Sequence, residues 1–257
     1  NTNEVPLIGN IMVSRWAYEA LIVVQAKDNE FQKKTYKHQL SRSQSGWKRD
    51  YWIPEIKNKL DIIGSKKSTK KEFKDAVKVL LIEIEKEEKS WNNLKCKDCL
   101  KELKKVSNYK NVGEAKFSIE RFLETIKKQY NKTYNESTEK IDKIAKTVGE
   151  DEYKALKEDY ENESLHDLVT NRMEISKIIE ADHELFQKDD PIYLNPENER
   201  FIDAHFYAPT KYLAGIKMDT FWANMMVIWA VILLSVVALY YDLLKKFLDL
   251  FDKNSQE

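Results

Sequence analysis

Glycine and proline are scarce in this chain: six Gly and five Pro are spread over 257 residues. Short strands joined by tight turns need more of both, so this scarcity, beside abundant Lys, Glu, Leu and Ile, points to long helices and an all-α fold class. Cysteine is rarer still, with two residues, which excludes a disulfide framework and a four-cysteine zinc site. The histidines, at positions 38, 166, 183 and 205, are dispersed and form no H-E-x-x-H ligand pair. Asp182-His183-Glu184 reads as a solvated triplet on a helix. No G-x-S-x-G, glycine-rich phosphate loop or G-x-x-x-x-G-K-[ST] occurs, so no catalytic residue, nucleotide site, metal or cofactor is assigned to this segment. Net charge is absent too: 43 basic residues cancel 43 acidic ones, and nothing draws the whole molecule to nucleic acid. The local basic run of Lys66, Lys67, Lys70, Lys71 and Lys74 has acidic neighbours and reads as a solvated face.

What is present is one intensely apolar run in a chain of negative mean hydropathy. Residues 221–241 contain no charge, and only Asn224 and Ser235 are plainly polar. At ~1.5 Å per helical residue the run reaches about 30 Å, the thickness of a bilayer's hydrocarbon. Trp222 at one end and Tyr240 and Tyr241 at the other stand where interfacial aromatic belts belong. The competing reading, a helix buried in a large soluble core, accounts less well for the length, the missing charge and the aromatic ends together. After the run, Lys245, Lys246 and Lys253 alternate with Asp242, Asp249 and Asp252, so the positive-inside signal is weak. The short tail is assigned to the cytoplasmic side, because long domains translocate largely regardless of charge. Its Leu243, Leu244, Phe247, Leu248 and Phe251 recur at helical spacing and predict an amphipathic continuation of the span.

A second apolar stretch, residues 5–24, holds Pro6, Gly9, Arg15 and Glu19 and makes no clean span. It lacks the basic start of a signal peptide, and the opening Asn-Thr-Asn-Glu-Val-Pro reads as internal to something longer. Arg15 and Glu19, one helical turn apart, predict an ion pair that lowers the cost of placing both at membrane depth. Exchanging the two charges should then partly preserve the pair. A re-entrant or interfacial helix carrying Trp16 and Tyr18 fits this pattern. An amphipathic core helix of a soluble domain remains the alternative.

Between these stretches lies a long hydrophilic insert. Thr69 and Glu72 form a capping box ahead of an apolar stripe through Phe73, Ala76, Val77, Leu80, Leu81 and Ile84. A helix through Phe117 to Tyr134, a polar break, a run through Ile141 to Val148, and a later helix through Leu165, Leu168, Val169, Ile175, Ile178 and Ile179 complete the pattern. Lys/Glu-rich blocks of this kind form helical bundles or hairpins. Cys96-Lys-Asp-Cys99 supplies too few ligands for zinc; a local disulfide, if the insert faces an oxidising space, and two free thiols both remain open. Beyond Asp189 two prolines break the helices, and Phe201, His205, Phe206, Tyr207 and Tyr212 lead to the span as a membrane-surface connector.

Two stretches resemble the C-terminal part of the permease in ABC exporters of the G-subfamily kind, including large bacterial versions. One is Val5-Pro-Leu-Ile-Gly-Asn10 with Ser14-Arg-Trp-Ala-Tyr-Glu-Ala-Leu21 and Asp28-Asn29; the other is His205-Phe-Tyr-Ala-Pro209 with Asp219-Thr-Phe-Trp222. The resemblance implies a re-entrant helix for the first and the entry to the last membrane helix for the second. It covers about the first forty and last fifty residues, and the long insert departs from the short outer loop of many relatives. It also implies an upstream ATP-binding domain that hydrolyses ATP with Mg, further upstream transmembrane helices, and a dimer.

The organisation expected is therefore a re-entrant or interfacial segment at 1–38, a helical extracytoplasmic domain at 39–198, a connector at 199–219, and a transmembrane helix with a cytoplasmic tail at 220–257. The expected setting is a bacterial inner membrane, with lipid around the span and an envelope protein as a docking partner for the insert. The site residues are Arg15 and Glu19 as a membrane-depth pair, Trp16 and Tyr18 on the re-entrant helix, Phe206, Tyr207, Trp222, Tyr240 and Tyr241 at the interface, and Cys96 with Cys99. The rival reading is a membrane-anchored helical interaction or sensor module without transport activity.

Overall fold

The computed structural model describes residues 7–91, 94–96, 98–196, 200–201 and 204–242. In chain order the elements are α1 (Leu7–Ile11), α2 (Val13–Lys27), α3 (Gln32–Trp47), a π turn (Lys48–Trp52), α4 (Ile53–Gly64), α5 (Lys70–Ser90), α6 (Cys99–Lys105), α7 (Gly113–Val148), α8 (Glu150–Tyr160) and α9 (Glu163–Thr170). A hairpin of β1 (Ile178–Ala181) and β2 (Glu184–Gln187), a second of β3 (Thr210–Leu213) and β4 (Ile216–Asp219), and α10 (Thr220–Tyr240) follow. The protein is mostly helical, as composition predicts, and the two antiparallel hairpins are its only sheets among the described residues. The chain divides into two compact units: Asp28–Leu194, and Asn3–Lys27 together with Asn195–Glu257.

Its core is built from Trp47 and Trp52 at the two sides of the π turn, Ile56, Leu60 and Ile63 of α4, Val79, Leu80 and Ile84 of α5, and Ile119, Leu123 and Ile126 of α7. The π turn has a cause in sequence. Pro54 has no N–H to donate to the carbonyl four residues back, and its ring crowds that carbonyl, so widening the helix just before it relieves the clash. The predicted capping box starts α5: the Thr69 hydroxyl accepts from the Glu72 amide at 3.2 Å, and the Glu72 carboxylate accepts from the Thr69 amide at 2.8 Å. Further along α5 two buried carboxylates face inward. Glu83 accepts from Trp52 Nε1 at 2.6 Å and from the Leu185 amide at 3.0 Å. Glu87 accepts from Lys48 at 2.8 Å, from Trp91 Nε1 at 2.7 Å, and from the Tyr130 hydroxyl.

Two expectations for this unit need correction. The polar stretch after Tyr134 does not break the helix, because α7 runs unbroken to Val148; Glu136, Glu139 and Lys140 are good helix formers, and polarity alone ends nothing. The helix expected through Ile175, Ile178 and Ile179 ends instead at Thr170, where Asn171 takes a left-handed conformation. Ile175 is 96% exposed, and Ile178 and Ile179 lie in β1. Asp182 and His183 both have positive φ and form the hairpin turn, so the charged triplet is a turn rather than a helical face.

In the second unit α2 packs along α10, with Trp16, Ala20 and Val23 of α2 and Ala223 and Asn224 of α10 buried. Hairpin β3–β4 turns at Ala214-Gly215, both at positive φ, and runs straight into α10. Thr220 fixes that junction: its amide donates to the Pro209 carbonyl at 3.2 Å and its hydroxyl to the Ala208 carbonyl at 2.5 Å. Asp219, just before the helix, pairs with Lys27 at the end of α2. Helix α10 is long and apolar enough to cross a membrane, and only 11% of its most apolar stretch is buried. The amphipathic tail expected from Leu243 onward lies outside the described residues.

Candidate functional site

The second unit contains a buried polar cluster centred on Glu19. Helix α2 turns Glu19 inward on the face that also buries Trp16, Ala20 and Val23, leaving Tyr18 and Leu21 outward. One Glu19 oxygen accepts from Lys211 of β3 at 2.5 Å and from the Asn224 amide of α10 at 3.0 Å, with Arg15 at 3.6 Å. The other accepts from the Tyr207 backbone amide at 3.3 Å. Asn224 also bridges to the Trp16 carbonyl at 3.1 Å, while its own oxygen accepts from Lys211 at 3.1 Å. Glu19, Lys211 and Asn224 have no solvent exposure.

The predicted pair of Arg15 and Glu19 is therefore present, but the closer cation is Lys211, which sequence spacing gave no reason to join to Glu19. Among the described residues two cations meet one carboxylate there, a surplus of one positive charge. Aromatic faces absorb part of it: the Arg15 guanidinium lies 4.1 Å from the Trp16 ring centre and Lys211 Nζ 4.8 Å from it. Trp16 is held in turn by stacking on Phe201 and by donating Nε1 to the Asn10 carbonyl at 3.0 Å. Arg15 donates to the Asn10 side chain at 2.7 Å. Burial lowers the Lys211 pKa to about 8, an effect that Glu19 opposes.

The remaining predicted residues fall in distinct places. Tyr18 stacks on Phe206, whereas Tyr207 is buried inside the unit at positive φ, its amide turned to Glu19. Trp222 is 62% exposed near the start of α10, and Tyr240 and Tyr241 are exposed at its end. Cys96 and Cys99, in the helical unit, are joined as a local disulfide with Cα atoms 5.5 Å apart. Lys211 and Asn224 are the members that sequence reading missed. Asn224 left a trace, as a lone amide one turn into an apolar helix; Lys211 left none beyond its position as a flanking charge. Comparisons with protein-family models, curated proteins and solved structures gave no match.

Proposed function

We propose that this chain is the last part of an ATP-driven export permease, contributing α2 as a re-entrant helix, the helical unit as an outer domain, and α10 as the final membrane span. ATP hydrolysis with Mg belongs, in this reading, to an upstream portion, and the working form is a dimer. The observation that carries the proposal is the convergence of the two stretches that resemble such permeases. Glu19 of the first meets Tyr207, next to His205 and Phe206 of the second, and is bonded to Lys211, which stands 192 residues away from it. Ionisable groups beside an apolar span are retained where they are paired and directed into protein. Here the pairing ties α2 to α10.

The test is the complete polypeptide encoded by the gene. It is expected to contain a phosphate-binding loop and further apolar spans ahead of this segment, and to hydrolyse ATP when reconstituted in liposomes. A polypeptide without a nucleotide site or further spans overturns transport and leaves an anchored interaction module.

A further inference from the structure

The disulfide between Cys96 and Cys99 joins residues three apart in the chain. Closing so short a loop removes little freedom from the unfolded chain, so the bond adds less stability than one across a long loop. Its two sulfurs are placed differently. Cys99 is fully buried in the core of the helical unit, whereas Cys96 is half-buried at the edge of that core. An outside thiol can therefore reach Cys96 and not Cys99, and thiol–disulfide exchange depends on which sulfur is accessible.

Cys96, but not Cys99, also lines a groove of about 310 Å³. Phe117, Arg121 and Thr125 of α7 stand at successive intervals of four and so present one face to this groove. Phe122 and Leu94 add apolar wall. Phe117 is 67% exposed, a large aromatic that the core does not use. Lys95 and Arg121 line the groove as cations. Asp98 on the same wall, and Glu88, which accepts from the Cys96 amide at 3.1 Å, offset them. Access and the apolar wall, rather than a local surplus of charge, thus set Cys96 apart.

We propose that Cys96 and Cys99 form an exchange-active pair that oxidises two cysteine thiols of a partner polypeptide seated in this groove, with an apolar side chain of the partner against Phe117. The partner's first thiol gives its proton to water, and its sulfur attacks Cys96 Sγ. A new S–S bond forms as the bond to Cys99 breaks, and Cys99 leaves with the electron pair and takes up a proton. The partner's second thiolate then attacks the partner sulfur of the mixed disulfide and releases Cys96, which is protonated in turn. Two thiols of the partner become a disulfide, the pair gains two electrons, and no further oxidant is consumed. The inference does not depend on the transport reading.

The experiment incubates the oxidised full chain, in detergent micelles, with the reduced peptide Ala-Cys-Phe-Gly-Cys-Ala, with the same peptide carrying Ser in place of Phe, or with glutathione at equal thiol concentration. Samples are acid-quenched, alkylated and weighed by mass spectrometry. The Phe peptide is expected to reduce the pair with formation of one peptide disulfide per chain, about tenfold faster than the Ser peptide, the scale of one apolar side-chain contact. Phe117→Ser, at an exposed position, should erase that difference. In Cys99→Ser the oxidised Phe peptide should be trapped as a mixed disulfide on Cys96, and in Cys96→Ser no mixed disulfide should form while circular dichroism reports a folded chain. A pair that resists the Phe peptide until the chain unfolds overturns the proposal. So do equal rates for the two peptides, a difference that Phe117→Ser leaves intact, or trapping on Cys99. Glutathione as fast as the Phe peptide would make the substrate a small thiol and overturn the partner polypeptide.

Discussion

Among the described residues Glu19 is the one carboxylate that meets both the buried Lys211 and the partly buried Arg15, so the cost of losing it differs from the cost of losing either partner. Glu19→Ala leaves Arg15 and Lys211 together without a counter-charge and is expected to destabilise by about 3–5 kcal/mol. Lys211→Met removes the surplus charge instead and keeps Glu19 with Arg15 and Asn224, so its cost should be at most about half as large. Exchanging charges by Arg15→Glu with Glu19→Arg should not restore stability, because the new Arg would face Lys211. Thermal denaturation in detergent micelles ranks the variants; a full rescue by the exchange would mean that Arg15 is the dominant partner. Asp189 makes a second residue-scale prediction. Burial, and then the neighbouring Asp190 charge, raise its pKa from 3.8 to about 6. Between those values the folded chain keeps a proton that the unfolded chain has released, so this contribution is full below pH 4 and is lost as pH rises through 6. Asp189→Asn should flatten that slope and stabilise the helical unit at pH 7 by about 1 kcal/mol, discounted for partial water contact. Melting curves from pH 4 to pH 7.5 measure it, and an unchanged slope would assign the titration to another group.

At the scale of elements, α5 organises the helical unit through its cap and its two inward carboxylates. Thr69→Ala removes an exposed capping box and should cost about 1 kcal/mol. Glu83→Ala strands the Trp52 indole N–H and the Leu185 amide in the core, and should cost about 2–4 kcal/mol. Urea unfolding of the full chain, followed by far-ultraviolet circular dichroism, separates the two effects. Equal losses would mean that water replaces Glu83 as acceptor. The cap was legible in sequence because its partners are three residues apart. The carboxylates were not: glutamates on a Lys/Glu-rich helix read as solvated, and only packing against Trp52, Trp91 and Tyr130 turns these two inward.

For the whole molecule the decisive measurement is topology. With α10 as the final span, the helical unit should face away from the cytoplasm and the tail towards it. Ile175 is 96% exposed and suits a surface probe. In a Cys96→Ser, Cys99→Ser background, a membrane-impermeant thiol reagent applied to intact cells should label Ile175→Cys and spare Ser255→Cys. The opposite pattern would place the helical unit in the cytoplasm and remove the oxidising surroundings that favour the bond between Cys96 and Cys99.

By itself the sequence determined what depends on local order. The uncharged run that became α10, the Thr69 cap, the turn of α2 that pairs Arg15 with Glu19, and the predominance of helix all follow from composition and from spacings of three or four residues. The tertiary structure alone decided what depends on partners far apart in the chain. Lys211 and Asn224 reach Glu19 across 192 and 205 residues. The strand fate of Ile178 and Ile179 belongs here too. An apolar β-branched pair suits helix and strand patterns alike over a few residues, and it was the left-handed stop at Asn171 and the hairpin turn at Asp182-His183 that settled it.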